Sequence, residues 1–208
     1  MFKLSPQNMG ALPNVLVASL LLHPGVAKPL MRAPDNFIVD FQTDVGSGAN
    51  ISVNITRSLA PLGVDHFYSL VEDGFYNQAA FFRVVPNFVV QFGIAGTPAE
   101  NEKWTSPIRD DPVKVSNLAG TLVYATAGPN TRTTQLFINY ADNQGLDKQG
   151  FAPFGQLDAE GLAVAQRIFN PTPSSSSGVN QGAYTAKGNS WIKETYPGIN
   201  FITKATVR

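Results

Sequence analysis

Glycine and proline interrupt this chain so often that long helices have little room to form. The 208 residues include 18 glycines and 15 prolines, above the average share of about 12% for the two together. Both residues favour turns, so this density predicts short strands joined by turns. Hydrophobic residues make up 43% of the chain, which is enough to bury a core of normal size. We therefore expect one mainly β domain.

Apolar alternation and helical spacing place the individual elements. Two helices are predicted, one that begins at Pro61 and ends at Gly74, and one over 158–169. The first two strands flank a turn-rich connection and form a predicted hairpin. Many short strands with two modest helices suggest a single antiparallel barrel, closed so that no strand edge stays open. The predicted strands are 37–41, 51–55, 81–85, 88–92, 121–126, 135–139 and 201–207.

The first 27 residues differ from the rest and predict a signal peptide. Lys3 precedes a mostly apolar run at 11–22, and the small residues 25–27 suit a signal peptidase. The run is too short to span a bilayer, which needs about 20 residues. Cleavage would leave 28–208 as the domain, in the secretory pathway, the extracellular space or a periplasm. The alternative is an N-terminal helix, buried or disordered, on a cytoplasmic protein.

Charge and residue types exclude several classes of function. Lys and Arg together number 15, as do Asp and Glu, and a nucleic-acid binder normally carries a basic surplus. Cysteine is absent and there are two histidines, which excludes disulfide scaffolds, thiolate catalysis and Cys- or paired-His zinc sites. We expect no metal, no cofactor and no stable membrane span. His66 is predicted to be structural or simply exposed, and Asp110-Asp111 to form a solvated turn.

Three polar side chains stand inside apolar strand segments and suggest a peptide-binding cleft. They are Arg83, Gln91 and Gln135. Each could simply be the outward residue of a half-exposed strand. Together, a guanidinium and two amides beside phenylalanines suit an extended peptide, because amides pair with backbone and aromatics with apolar side chains. No nucleophile–base pair accompanies them, so hydrolysis is a poor fit.

Three ordered motifs resemble those of the cyclophilins, a family of peptidyl-prolyl cis-trans isomerases. Residues 81–92 (FFRVVPNFVVQF) resemble the family's substrate strands, and 124–138 (YATAGPNTRTTQLFI) its second signature. Leu146-Asp147 and then 151–155 (FAPFG) resemble a third. The similarity extends from about Phe37 to Val207. It implies a closed eight-stranded antiparallel barrel with a helix at each end and a groove for a proline-containing peptide.

The resemblance also assigns roles to single residues. Arg83 matches the family's catalytic arginine, and Gln91 is expected to act with it. Thr126 stands where many members have asparagine, although a contact through its backbone would survive that change. The remaining positions are expected to bind substrate, through the proline-ring pocket, through an amide beside it or through backbone pairing: Phe82, Phe88, Val89, Ala125, Thr126, Gln135, Phe137, Leu146 and Phe151.

Three departures from the family pattern qualify that picture. Phe82 replaces the histidine that usually precedes the arginine, and Phe151 replaces a groove histidine. Both changes bear on peptide preference and rate. Gly145 stands where cyclosporin-sensitive members carry tryptophan. Weak or absent cyclosporin binding is therefore expected, because a large stacking surface and an indole donor are missing.

The sequence thus predicts a monomeric isomerase that rotates Xaa-Pro bonds in proline-containing peptides and unfolded client proteins. Such chemistry needs no proton shuttle, because amide resonance is weakened and no bond breaks. A second class remains open at this point. The chain could be a non-catalytic proline-peptide receptor or assembly subunit that retains the groove.

Overall fold

The computed structural model describes residues 30–208, and the predicted signal peptide at 1–27 lies outside the described residues. The strands of this part form one antiparallel nine-stranded sheet with the order β3-β9-β1-β2-β8-β6-β7-β5-β4. They are β1 Asn36–Thr43, β2 Asn50–Thr56, β3 Ala79–Ala80, β4 Arg83–Val85, β5 Val89–Phe92, β6 Thr121–Tyr124, β7 Leu136–Asn139, β8 Pro153–Leu157 and β9 Phe201–Val207.

Four α-helices lie in the described part of the chain. Two 3₁₀ segments are also present, Arg57–Leu59 between β2 and α1 and Gln144–Gln149 between β7 and β8. The α-helices are α1 Pro61–Glu72, α2 Pro98–Lys103, α3 Ala159–Ala165 and α4 Gln181–Thr195.

The predicted opening hairpin is confirmed, and its register follows the apolar alternation. Phe41 pairs with Ile51 and Val39 with Val53, and these side chains are buried while the residues between them are not. A slip of one residue would turn the apolar set to the solvent, so burial fixes the register. Gly46 at φ +62° supplies the left-handed conformation that the connection needs.

The predicted closed eight-stranded barrel is wrong, because the curled sheet stops short of closure. Its edge strands β3 and β4 are separated along the chain only by Phe81 and Phe82. The Phe81 amide donates to the Asn200 carbonyl at 3.0 Å, and the Phe82 carbonyl accepts from the Val179 amide at 3.0 Å. Loop residues therefore take the hydrogen bonds that a strand ladder would need for closure.

Helix α1 confirms the first predicted helix and shows how its N-terminus is satisfied. Pro61 is its first residue, where the missing amide hydrogen costs nothing. The Asp111 carboxylate accepts from the Leu62 and Gly63 amides at 3.1 and 2.8 Å. Asp111 is buried and paired with the guanidinium of Arg132. The predicted solvated turn is therefore wrong for Asp111.

The other helices depart from the prediction of two. The segment 158–169 is helical only over α3, where the Asp158 side chain accepts from the Gly161 amide at 2.7 Å and caps the start. Helix α4 is missed because its sequence is rich in Gly, Asn, Ser and Thr. Gly188 interrupts α4 at φ +67° and ψ −158°, so two short helical pieces meet there. Within 30–208 no helix has the length and apolar character needed to cross a bilayer.

Two apolar cores hold these elements together. The larger fills the concave side of the sheet and includes Phe41, Phe67 and Phe154, whose rings are tilted against one another at centroid distances of 5.3 to 6.3 Å. The smaller lies beneath α4 and includes Phe82 and Tyr184. Apolar burial is the main driving force for both. A third apolar cluster, described below, lies on the other face of the sheet.

His66 is buried on α1, which agrees with the first of the two predicted alternatives, a structural role or simple exposure. Its Nδ1 lies 3.0 Å from the Tyr124 hydroxyl, and its ring meets Trp104 edge-on at 5.4 Å. Burial, assisted by the charge of Arg132, lowers the pKa of His66 from 6.5 to about 4. The imidazole is therefore neutral in the folded protein at physiological pH.

Acid should therefore weaken the fold through His66. The unfolded chain takes up this proton below its pKa of 6.5, while the folded chain resists until about pH 4, so stability is lost as the pH falls through that window. We expect the free energy of unfolding to drop there by up to about 3 kcal/mol more in the wild type than in His66→Gln. Urea titrations at pH 7 and 4.5 measure this, and equal losses in both proteins would contradict it.

Candidate active site

Strand register places three of the predicted site residues and Val123 in one row across the sheet. Arg83 of β4 stands opposite Gln91 of β5, Gln91 opposite Phe137 of β7, and Phe137 opposite Val123 of β6. Residues that stand opposite one another in antiparallel strands point to the same face. The four side chains therefore share the convex face, outside the main core.

The neighbouring residues in the same strands form the complementary inner row. Val84, Val90, Ile138 and Leu122 are each one residue along from a member of the outer row, and all are buried in the main core. Alternation of side chains along a strand separates the two rows. The apolar inner row thus fixes which residues line the outer face.

The polar end of the outer row is a chain of hydrogen bonds. Arg83 Nη1 donates to Gln91 Oε1 at 3.2 Å, and Gln91 Nε2 donates to Gln135 Oε1 at 2.8 Å. The Arg83 guanidinium carbon lies 5.9 Å from the centre of the Phe88 ring, within the range of a cation–π contact. Burial lowers the pKa of Arg83 from its ordinary value, but arginine starts so high that it stays charged at neutral pH.

Beside this polar chain lies an apolar cluster on the same face. Val89, Val123 and Phe137 are buried at its base, and four partly exposed residues surround them, namely Phe88, Ala125, Leu146 and Phe151. The Phe137 and Phe151 rings meet edge-on at 5.6 Å. We call these seven residues the apolar pocket. Its partly exposed rim leaves apolar surface that a ligand side chain can cover.

A polar network outside the predicted set holds one wall of the pocket. Leu146 lies on the 3₁₀ helix Gln144–Gln149, and the neighbouring Asp147 carboxylate accepts from the Asn117 amide at 2.9 Å and from Asn117 Nδ2 at 2.7 Å. Hydrogen bonds from Asn117 and Ser116 lower the pKa of Asp147. This anchor fixes the helix and with it Leu146.

The backbone stretch predicted to pair with substrate follows β6. The Ala125 amide donates to the Gln135 carbonyl at 2.9 Å, which extends the pairing of β6 with β7 past the end of β6 and before the start of β7. The Thr126 hydroxyl donates to the Gly128 carbonyl, and the Ala127 amide donates to Thr131 Oγ1 at 2.9 Å. The Thr126 side chain is thus turned into its own loop, so any contact with a peptide falls to its main chain.

The structure brings the predicted residues together with one exception. Phe82 is completely buried in the smaller core, with its ring 6.5 Å from that of Tyr184. It lies in the short segment between β3 and β4, just before Arg83, and its side chain packs into the smaller core under α4. Phe82 therefore supports the site from beneath and does not line the groove.

Sequence reasoning missed two contributors to the site. Val123 belongs to the pocket base, and its position two residues before Ala125 could have revealed it. The Ser176 carbonyl accepts from Arg83 Nε at 2.6 Å, a contact with no local sequence signal because the two residues are far apart in the chain. Among residues 30–208, no three Asp, Glu, His or Cys side chains form a group that could hold a metal ion.

Comparison with known proteins identifies the family. The family model described as "Cyclophilin type peptidyl-prolyl cis-trans isomerase/CLD" matches residues 38–187. A peptidyl-prolyl cis-trans isomerase of Acinetobacter baylyi is 35% identical over 152 residues, covering 70% of this chain and 78% of the relative. Another, of Schizosaccharomyces pombe, is 34% identical over 136 residues, covering 62% of this chain and 83% of the relative.

Solved structures agree on the fold. A cyclophilin type peptidyl-prolyl cis-trans isomerase of Cryptosporidium parvum matches with a TM-score of 0.59 at 19% identity, covering 83% of this chain and 98% of the other. Its structure in the presence of the dipeptide Ala-Pro matches with a TM-score of 0.58 at 21% identity, covering 82% and 98%. The chain belongs to the cyclophilin-type peptidyl-prolyl cis-trans isomerase family. Its activity is accordingly the cis–trans isomerisation of peptidyl-prolyl bonds.

Proposed function

We propose that the chain isomerises Xaa-Pro bonds by seating the proline ring in the apolar pocket and donating from the Arg83 guanidinium to the prolyl nitrogen. One observation carries this proposal. A charged, partly buried donor lies within 5.9 Å of the Phe88 ring centre at the edge of that pocket. A proline ring that fills the pocket brings its nitrogen towards the guanidinium.

The chemistry of the reaction explains why one donor suffices. Rotation about an Xaa-Pro bond crosses a barrier of about 20 kcal/mol, set by amide resonance. In the twisted transition state the prolyl nitrogen becomes pyramidal and gains a localised lone pair. A donor aimed at that nitrogen binds the twisted state more strongly than either planar state, which is the requirement for catalysis. No proton leaves, so a titrating base is unnecessary.

The magnitudes show that the pocket must contribute as well. An acceleration of about 10⁵-fold requires roughly 7 kcal/mol of differential stabilisation. One hydrogen bond to a charged group supplies about 1.5–3 kcal/mol net. Desolvation of the bond and the clamped ring must supply the remainder, which assigns a catalytic share to Phe88, Phe137 and Leu146.

Gln91 has two tasks in this proposal. Its amide oxygen accepts from Arg83 and so orients the guanidinium. One of its two amide hydrogens bonds to Gln135, and the other is available to hold the substrate carbonyl. The Ala125–Thr126 main chain would pair with the peptide backbone beside it.

A non-catalytic receptor is the weaker reading of the same groove. A receptor needs the apolar pocket, but it has little use for a guanidinium held by Gln91 and, through it, by Gln135. Partial desolvation of that charge has a free-energy cost, which an isomerase offsets by its use in the transition state. Family membership favours the enzyme as well.

Removing the guanidinium should abolish most of the activity while binding persists. We expect Arg83→Ala to lower kcat/KM for a Xaa-Pro tetrapeptide at least about 100-fold, from the loss of a charged hydrogen bond and the effect on its neighbours. We expect Gln91→Leu to lower it about tenfold. Protease-coupled turnover measures both, with the exposed Arg167→Ala and Gln42→Leu as matched controls. Equal rates in wild type and Arg83→Ala would reject the proposed role of Arg83.

Proline-containing segments of unfolded client proteins are the substrates that we propose. The groove offers a single charge, amides and apolar surface, which suits neutral extended peptide better than anionic polymers. A family member was solved in the presence of Ala-Pro, which supports a proline ligand here. We propose that the chain acts as a monomer.

Cyclosporin should bind weakly, because the residue at the position expected to stack on the drug, Gly145, has no side chain. Gly145 is exposed, and a Cβ built there meets nothing within 4 Å. We expect no low-nanomolar binding to the wild type and a clear gain in affinity for Gly145→Trp, measured by calorimetric titration. Tight binding to the wild type would contradict this reading.

We also propose that residues 1–27 are a signal peptide and that the domain acts in the secretory pathway or outside the cytoplasm. Cleavage after Ala27 leaves the first anchored residues in place, since the Met31 amide donates to Ser69 Oγ and the Ala33 amide to Asp65, both at 2.8 Å. N-terminal sequencing of the exported protein should begin at Lys28. An intact start at Met1 or Phe2 would contradict cleavage.

A further inference from the structure

A serine-rich segment lies against the guanidinium that the proposed mechanism uses. Residues 171–179 (PTPSSSSGV), here called the serine loop, connect the end of α3 to α4. The Ser176 carbonyl in this loop accepts from Arg83 Nε at 2.6 Å. The opposite edge of the guanidinium donates from Nη1 to Gln91. Arg83 is thus held from two sides, by a strand and by a loop far from it in the chain.

Close backbone packing brings the serine loop to this position. Gly178 adopts φ +76°, and a Cβ built there would lie 2.6 Å from Arg83 Cβ, 2.7 Å from the Phe82 carbonyl oxygen and 3.0 Å from Arg83 Cα. Two of these atoms belong to backbone that cannot give way cheaply. Only glycine combines this conformation with this approach, so any side chain at 178 pushes the loop off Arg83.

The loop is anchored and internally bonded, so its carbonyl has a defined position. The Val179 amide donates to the Phe82 carbonyl at 3.0 Å, and the Val179 side chain is buried in the smaller core. The Ser175 amide donates to the Thr172 carbonyl at 2.9 Å, and the Ser177 amide to Ser175 Oγ at 3.2 Å. The serines are exposed, yet their main chain follows a fixed path.

We propose that the serine loop is a positioning element for catalysis: the Ser176 carbonyl fixes the Nε edge of Arg83 so that the remaining guanidinium hydrogens face the prolyl nitrogen. This inference rests on the proposed role of Arg83. Long charged side chains lose much rotamer freedom when they are ordered. The two contacts order Arg83 before substrate arrives, so that this loss does not fall on the transition state. The loop acts through Arg83 and itself touches no reacting atom.

The kinetic test uses Gly178→Ala beside Gly198→Ala. Both glycines have positive φ, at +76° and +91°, but a Cβ at 198 meets only the Phe169 ring, at 3.8 Å or more. We expect Gly178→Ala to lower kcat about tenfold with KM within about twofold of wild type, because the apolar pocket is untouched. We expect Gly198→Ala to retain the wild-type kcat. Wild-type kcat in folded Gly178→Ala would overturn the proposal.

A spectroscopic measurement on the wild type tests the proposal even if Gly178→Ala fails to fold. The Arg83 Nε–H resonance, assigned by its absence in Arg83→Lys, should exchange slowly with water in wild type and Gly198→Ala. It should exchange rapidly in Gly178→Ala. Rapid exchange in the wild type would overturn the proposal. The outcomes separate two failures: unchanged turnover in Arg83→Ala rejects the role of Arg83, whereas inactive Arg83→Ala beside fully active Gly178→Ala rejects only the positioning.

Discussion

Arg83, Gln91, Phe137 and Val123 share one face of the sheet because they stand opposite one another in β4, β5, β7 and β6. The register is set from the other side, where the inner row is packed into the main core. A shift of one residue in any of these strands would bury a polar side chain and expose an apolar one, at a cost of several kcal/mol. Core packing that has no contact with substrate thus determines the order of groups along the groove.

The proposed mechanism uses groups that hold one protonation state. The arginine, two glutamines and the apolar pocket do not titrate near neutral pH, and the one described histidine, His66, is buried at a distance from them with a pKa of about 4. Catalysis by differential hydrogen bonding then depends on where a donor points rather than on when it is charged. The Arg83 guanidinium must therefore keep a fixed orientation. In the proposed mechanism, its hydrogen bonds to Gln91 and to the serine loop provide that orientation.

Local pattern was enough for most strands and for helix α1, because alternation and helical spacing can be recognised within a few residues. Most of the residues expected to line the groove were instead assigned from the resemblance to the cyclophilins. Prediction from local pattern failed where contacts between segments far apart in the chain determine the structure. The backbone groups of Phe81 and Phe82 form hydrogen bonds with Asn200 and Val179, which leaves the sheet open where a closed barrel was expected. Asp111 is buried by Arg132 and the start of α1, although its own neighbours predict a turn. Helix α4 carries little apolar periodicity and breaks at Gly188, so tertiary packing rather than propensity makes it helical.

The pairing of β1 with β9 joins segments about 160 residues apart, from Val39 opposite Val207 to Gln42 opposite Lys204. While a ribosome is still adding residues, β1 has only β2 as a neighbour and its other edge is unpaired. An unpaired edge is a template for association with other chains. The sheet is therefore complete only after residues 201–207 have emerged and paired with β1, and until then the open edge of β1 exposes a nascent chain to aggregation.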